Sequence, residues 1–181
     1  KVSIFDIGFM YSAVFYESLR TFRHKLYRLE DHLDRLDRTL RYAGLPEMVS
    51  KREMAQVLET TIEKNISLFE AEDDCWICGQ VTPGAGFPQP LMKGKRGRPT
   101  VIAYVSPMPY DEYADCYTHG KPAIISRVPN VPNSVFDPRG KTRFRLHYFM
   151  AKLETAVREP EAFALLLDTA GYVTEGTGAN V

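Results

Sequence analysis

At Glu30 the spacing of apolar residues along this chain changes, and the change limits what the chain can become. Before it, residues 2–5, 15–22 and 26–29 carry the aromatic and β-branched content of strands, with Arg23-His-Lys25 as a polar turn between the last two. After it, Leu29, Leu33, Leu36 and Leu40 recur at spacings of four, three and four, which marks one face of an amphipathic helix. Gly44 and Pro46 end that helix. Ser50-Lys-Arg-Glu53 matches a capping box, and Met54, Val57, Leu58 and Ile62 give the helix behind it an apolar face. Strand patterns return at 75–81 and 100–105. The expected class is therefore α+β, beginning with a small N-terminal α/β domain.

The rigid pair in Ser106-Pro-Met-Pro109 is the best candidate for a linker. The expected division is 1–106, a linker over 107–112, and a second unit over 113–181. That second unit opens with a strand near 123–127. Asp137-Pro-Arg-Gly140 then turns the chain into a helix expected from Lys141, with inward stripe Leu146, Phe149, Met150, Leu153 and Val157. Residues 164–168 and 172–174 read as a β-hairpin. Asp111-Glu-Tyr-Ala-Asp115 reads as a charged helix face. The stretch 83–99 is rich in Pro and Gly, and its Lys93, Lys95, Arg96 and Arg98 read as a solvated loop tip rather than an anion site.

Composition narrows the partners. Twenty-three basic and 23 acidic side chains cancel, so no overall field draws the chain to nucleic acid or an anionic membrane. No apolar run approaches the roughly 20 residues of a membrane span. Cys75, Cys78 and Cys116 are odd in number and too few for a disulfide framework. Cys75-Trp-Ile-Cys78 has redox or zinc spacing, but no second pair accompanies it. Both cysteines read as small apolar strand residues, metal is not expected, and the expected location is a reducing cytoplasm.

Chemistry concentrates near the end. Gly171-Tyr-Val-Thr-Glu-Gly-Thr-Gly-Ala-Asn180 combines a carboxylate, Glu175, with a turn of small residues, and Lys141 lies 34 positions upstream. A lysine amine can hold an aldehyde as an imine, and small-residue turns let backbone N–H groups approach a phosphate. Together they suit pyridoxal phosphate (PLP).

Four blocks carry a resemblance. Asp6-Ile-Gly-Phe with Val14-Phe-Tyr-Glu-Ser-Leu-Arg20, Arg28-Leu-Glu-Asp-His-Leu-Asp-Arg-Leu36, Lys141 with Ala151-Lys-Leu-Glu154, and Tyr172 to Asn180 run over nearly the whole chain. Their pattern resembles the class IV (fold-type IV) PLP-dependent aminotransferases, which include branched-chain and D-amino-acid aminotransferases and aminodeoxychorismate lyase. The resemblance implies a small N-terminal α/β domain followed by the start of a larger, β-rich C-terminal domain. It implies that Lys141 forms the Schiff base and moves the substrate proton, and that Glu175 keeps the pyridine nitrogen protonated. Arg35 would bind the phosphate, with Gly178 and Ala179 in the turn beside the cofactor. Tyr11, Tyr16 and Arg20 would face the substrate. Arg143, Arg145 and His147 follow the lysine on its expected helix, where only some can share its face.

The implied reaction moves an amino group from an amino acid to a 2-oxo acid in a homodimer. Tyr11 matches a pocket tyrosine of the branched-chain group, and the loop after 75–81 lacks the Arg and His of the D-amino-acid enzymes. Branched-chain substrates are therefore favoured. A lyase, a D-amino-acid or amine transaminase, and a silent binding relative stay open. The expectation is also that this is a fragment, starting inside a strand pattern at Lys1 and stopping at Val181 behind the glycine-rich motif.

Overall fold

The computed structural model describes residues 1–86 and 98–181, so Lys93, Lys95 and Arg96 lie outside the described residues. Contacts divide the chain into two compact units, Lys1–Met108 with Arg139–Phe144, and Pro109–Pro138 with Arg145–Val181.

In the first unit a short helix α1 (Ile7–Tyr11) precedes β1 (Phe15–Phe22) and β2 (Lys25–Leu26). Helices α2 (Leu29–Tyr42) and α3 (Lys51–Asn65) follow, then β3 (Cys75–Thr82) and β4 (Thr100–Pro107). The strands form one sheet in the order β2-β1-β3-β4, antiparallel throughout. Period-two alternation sends Phe15, Leu19, Ile77 and Val81 to one face. There they close a core with Leu33, Leu36 and Leu40 of α2 and Met54, Leu58 and Ile62 of α3. Both helical stripes legible in the sequence thus pack against the sheet. Ser50 caps α3, its side chain accepting from Glu53 N–H at 3.1 Å. Gly44, at φ +71°, lets Leu45 N–H reach back to Leu40 C=O at 2.9 Å and closes α2.

The second unit contains α4 (Tyr110–His119), β5 (Ala123–Ile125), α5 (Leu146–Arg158), β6 (Phe163–Leu167) and β7 (Val173–Gly176). Its sheet runs β5-β6-β7, with β5 parallel and β7 antiparallel to β6. The expected hairpin is the β6–β7 pair.

Four expectations need correction. Residues 2–5 form a turn rather than a strand, because Asp6 caps α1 and its own N–H returns to Ser3 C=O at 3.0 Å. The strand expected over 26–29 shortens to β2, since Arg28 takes a left-handed conformation and leads straight into α2. Lys141 does not open a helix: α5 starts five residues later, and the backbone around Thr142 bridges Phe15 of β1 instead. Tyr16 N–H donates to Lys141 C=O at 3.3 Å and Arg143 N–H to Val14 C=O at 2.9 Å, so strand-like pairing outbids the helical pattern. Finally, α5 turns the other face inward. Tyr148, Ala151 and Thr155 are buried, and Tyr148 and Ala151 pack with Ala164 and Leu166 of β6. The stripe Leu146, Phe149, Met150, Leu153 and Val157 is half to nine-tenths exposed. A close approach of helix to sheet selects the small side chain of Ala151 for the contact.

Asp6 locks the start of the first unit. Its fully buried carboxylate accepts from Gly8 N–H at 2.8 Å and from the hydroxyls of Thr82 at 2.6 Å and Thr100 at 2.7 Å. Burial alone would raise its pKa, but the three donors outweigh that and hold it below the ordinary value. Asp6→Ala removes a charged acceptor and strands buried donors, so the expected loss is about 3 kcal/mol, read from the urea midpoint. A depressed carboxyl stabilises above its unfolded pKa, and that stability fades as pH falls through the folded value. Asp6→Asn should therefore show a weaker acid dependence of melting than the wild type; equal slopes would remove this role.

Candidate active site

The face of the first sheet turned away from α2 and α3 carries Tyr16, Ser18 and Arg20 of β1. In register beside them stand Gln80, Cys78 and Trp76 of β3, then Ile102, Tyr104 and Ser106 of β4. The segment holding Lys141 adds to the free edge of β1 through Thr142. Because that segment is extended, Lys141 and Arg143 point to the same side of it. The Lys141 ammonium lies 4.7 Å from the centre of the Tyr16 ring, and the Arg143 guanidinium carbon 3.8 Å from it. Arg143 then reaches over the sheet, donating to Gln80 Oε1 at 3.3 Å, Cys78 Sγ at 3.2 Å and the Tyr104 hydroxyl at 3.3 Å. Burial and its contact with Cys78 push the Tyr104 phenol up, with Arg143 opposing, so Tyr104 stays a protonated donor at neutral pH.

Arg35 stands on α2, and its Nε and one Nη bind the Glu17 carboxylate at 2.7 and 2.6 Å. His32 Nδ1 contacts the same carboxylate at 2.8 Å. Glu17 belongs to the core face of β1 and is almost fully buried. Burial would raise its pKa, yet the bonds from Arg35 and His32 prevail and hold it below the ordinary glutamate value. One turn beyond Arg35, the Thr39 hydroxyl accepts from Lys141 N–H at 3.3 Å. The lysine backbone is thereby fastened to the helix that carries Arg35.

The other expected substrate residues are placed differently. Tyr11 ends α1 and is exposed. Arg20 lies on the same sheet face as Tyr16, with its guanidinium 3.9 Å from the centre of the Phe22 ring and 3.4 Å from Asp74 Oδ2.

In the second unit, Glu175 lies on β7 opposite Leu166, and Asn130 Nδ2 donates to its Oε1 at 3.3 Å and to Thr174 Oγ1 at 3.0 Å. Burial lowers the His147 pKa, Glu175 raises it and Arg145 lowers it further; the net direction is down. The small-residue turn is closed by Gly176 N–H to Ala179 C=O at 3.0 Å and Thr177 N–H to Ala164 C=O at 3.1 Å. A Cβ at Gly176 would sit 3.0 Å from the Ala179 oxygen, so the turn leaves no room for a side chain there. Gly178 and Ala179 lie beyond these bonds on the exposed side.

Sequence reasoning missed Gln80, Cys78, Tyr104 and Asn130 as neighbours of site residues, and it put Arg143 on a helix. The signal for Arg143 was its period-two spacing from Lys141, visible only if that segment is read as extended. Among the described residues no cluster of His, Cys, Asp or Glu is arranged to hold a metal, and no helix is long and apolar enough to cross a membrane.

Comparison with known proteins gives these arrangements a context. The chain is 32% identical over 182 residues to a Methanocaldococcus jannaschii protein assigned as a branched-chain-amino-acid aminotransferase, covering 100% of this chain and 59% of that one. It is 28% identical over 181 residues to aminodeoxychorismate lyase of Bacillus subtilis, covering 99% of this chain and 58% of the lyase. It therefore spans about three-fifths of the length of these relatives. The fold matches a branched-chain aminotransferase of Thermoproteus uzoniensis, solved with norvaline, at a TM-score of 0.77 and 22% identity, over 98% of this chain and 58% of that one. A hypothetical aminotransferase from Mycobacterium tuberculosis, in its α-ketoglutarate and PMP bound form, matches at a TM-score of 0.75 and 22% identity, over 98% and 60%. The family model for amino-transferase class IV covers residues 14–181. With that match running over the Lys141 segment, the Arg35 helix and the Glu175 turn alike, the chain belongs to the class IV aminotransferase family.

Proposed function

We propose that this protein is a PLP-dependent transaminase that moves an amino group from an amino acid, by preference a branched-chain one, to a 2-oxo acid. The observation that carries the reading is the setting of Lys141. Its amine stands over Tyr16 on the open face of the sheet, and its backbone is fastened to α2 one turn from Arg35. The residues suit the cofactor on two further grounds. The turn at Gly176 is too tight for a side chain, and Glu175 is a carboxylate already oriented by an amide. When bound, PLP supplies an electron sink for the bond broken at the substrate α-carbon.

The chain's own residues do the rest. Lys141 holds the cofactor aldehyde and, once released by substrate, takes and returns the α-proton. Glu175 retains the proton on the ring nitrogen, and Asn130 fixes the orientation of the carboxylate. Arg35 offers a planar fork to the phosphate, and Glu17 sets the angle of that fork. Gly178 and Ala179 line the cofactor, Tyr16 walls the substrate, and Tyr11 and Arg20 complete its surroundings. The expected assembly is a homodimer; sedimentation of the active enzyme as a monomer would remove that part.

Borohydride reduction tests the assignment. The protein saturated with PLP should absorb as an imine, lose that band on reduction, and yield a pyridoxyl label on the peptide containing Lys141. Leucine, isoleucine or valine should then support amino transfer to 2-oxoglutarate. A label on another lysine would end the catalytic assignment, and pyruvate release from aminodeoxychorismate as the sole activity would turn the reading to a lyase.

A further inference from the structure

Arg143 has no role in the reading above, yet it is the cation that reaches furthest over the open sheet face. Its given partners are all neutral: the Tyr16 ring, an amide oxygen, a thiol and a phenol. A half-buried guanidinium met only by neutral groups is a poor structural device, because its charge is partly desolvated without a counterion. It is a good receptor, because an incoming carboxylate supplies the missing charge and can take a paired hydrogen bond. The geometry points to Arg143, with Tyr104 beside it, as the binding site for a second carboxylate on the substrate, the one at the end of a dicarboxylic amino acid or 2-oxo acid. This rests on the transaminase reading, since it takes the Lys141 amine as the reacting point.

Position favours the distal carboxylate over the α-carboxylate. The α-carboxylate lies only two bonds from the amino nitrogen that meets Lys141. Arg143 leans away from the lysine, over β1 and β3 to Tyr104 on β4, and adjacent strands are about 4.8 Å apart. A chain of two or three carbons between the reacting carbon and the far carboxylate spans such a displacement. The Tyr104 phenol, kept protonated, is a second donor at the same place. Gln80 and Cys78 hold the guanidinium flat over the Tyr16 ring and so prepay its ordering before substrate arrives.

The test compares dicarboxylic and monocarboxylic ligands on the wild type, Arg143→Gln and Arg143→Lys. For the PLP-loaded enzyme, the ratio of kcat/KM for glutamate to that for leucine should fall on the order of 100-fold in Arg143→Gln and partly recover in Arg143→Lys. Calorimetry of glutarate against 4-methylpentanoate, with and without PLP, reads the same site without turnover. Glutarate binding should weaken by a similar factor. Equal losses for both ligand types would make Arg143 an α-carboxylate or structural residue and overturn the proposal, as would no change in the ratio. If wild-type protein shows no reducible chromophore but glutarate binding still depends on Arg143, the transaminase reading fails while the anion site stands.

Discussion

Lys141→Ala should lower amino transfer by at least about 10⁴-fold and abolish the borohydride-reducible band, while the melting point stays within a few degrees of wild type. The separation follows from how the segment is held. The bonds that anchor it, Tyr16 N–H to Lys141 C=O, Arg143 N–H to Val14 C=O and Lys141 N–H to Thr39 Oγ1, use backbone groups of residues 141 and 143. Truncating the side chain leaves all three in place. What disappears is the amine over Tyr16, a cation–π contact of about 0.5–1 kcal/mol at a partly open site. Stopped-flow turnover, absorption spectra and a thermal melt on the same preparation check it. A variant that keeps the reducible band would show that another amine holds the cofactor.

Arg35→Met should destabilise the protein by about 3–5 kcal/mol, because it leaves the buried Glu17 carboxylate with only the His32 imidazole as partner. The sign of the pH dependence should reverse as well. In the wild type, Glu17 titrates below its ordinary value, so its contribution is present above that value and is lost on acidification. Without Arg35 burial dominates, the folded-state pKa rises above the unfolded one, and acidification should restore stability until Glu17 is protonated in both states. Urea midpoints between about pH 4 and 8 distinguish the cases. Adding Glu17→Gln to Arg35→Met should recover much of the loss, since no unpaired charge then remains. A double variant no more stable than the single one would show that the cost lies in packing. The same pair bears on cofactor affinity: if Glu17 sets the fork that holds the phosphate, Glu17→Gln alone should weaken PLP binding, read as a right-shifted absorption titration.

The legible parts of this molecule were those with strong local patterns. The α2 and α3 stripes needed only helical period and an apolar face, and Ser50 and Gly44 stand at the ends their chemistry predicts. The β6–β7 hairpin had a turn and two apolar runs. The Lys141 segment misled because Leu146, Phe149, Met150 and Leu153 extend a helical pattern backwards, and nothing local shows that Thr142 pairs with Phe15, 127 positions earlier. The α5 stripe misled differently. It is apolar and periodic, but the small sheet β5-β6-β7 takes the neighbouring face, where Ala151 permits closer contact.

By itself the sequence determined which residues carry chemistry, since a lysine, a carboxylate and a tight turn of small residues are properties of side-chain type and order. It also determined the α+β alternation and the helical faces of the first unit, which follow from periods of two and 3.6. Only the tertiary structure decided what stands beside those residues. Pairing between segments more than a hundred positions apart turned Lys141 and Arg143 to one side over Tyr16, and burial on the other face of β1 bound Arg35 to Glu17. Such contacts depend on long-range hydrogen bonds and desolvation, which leave no trace in local spacing.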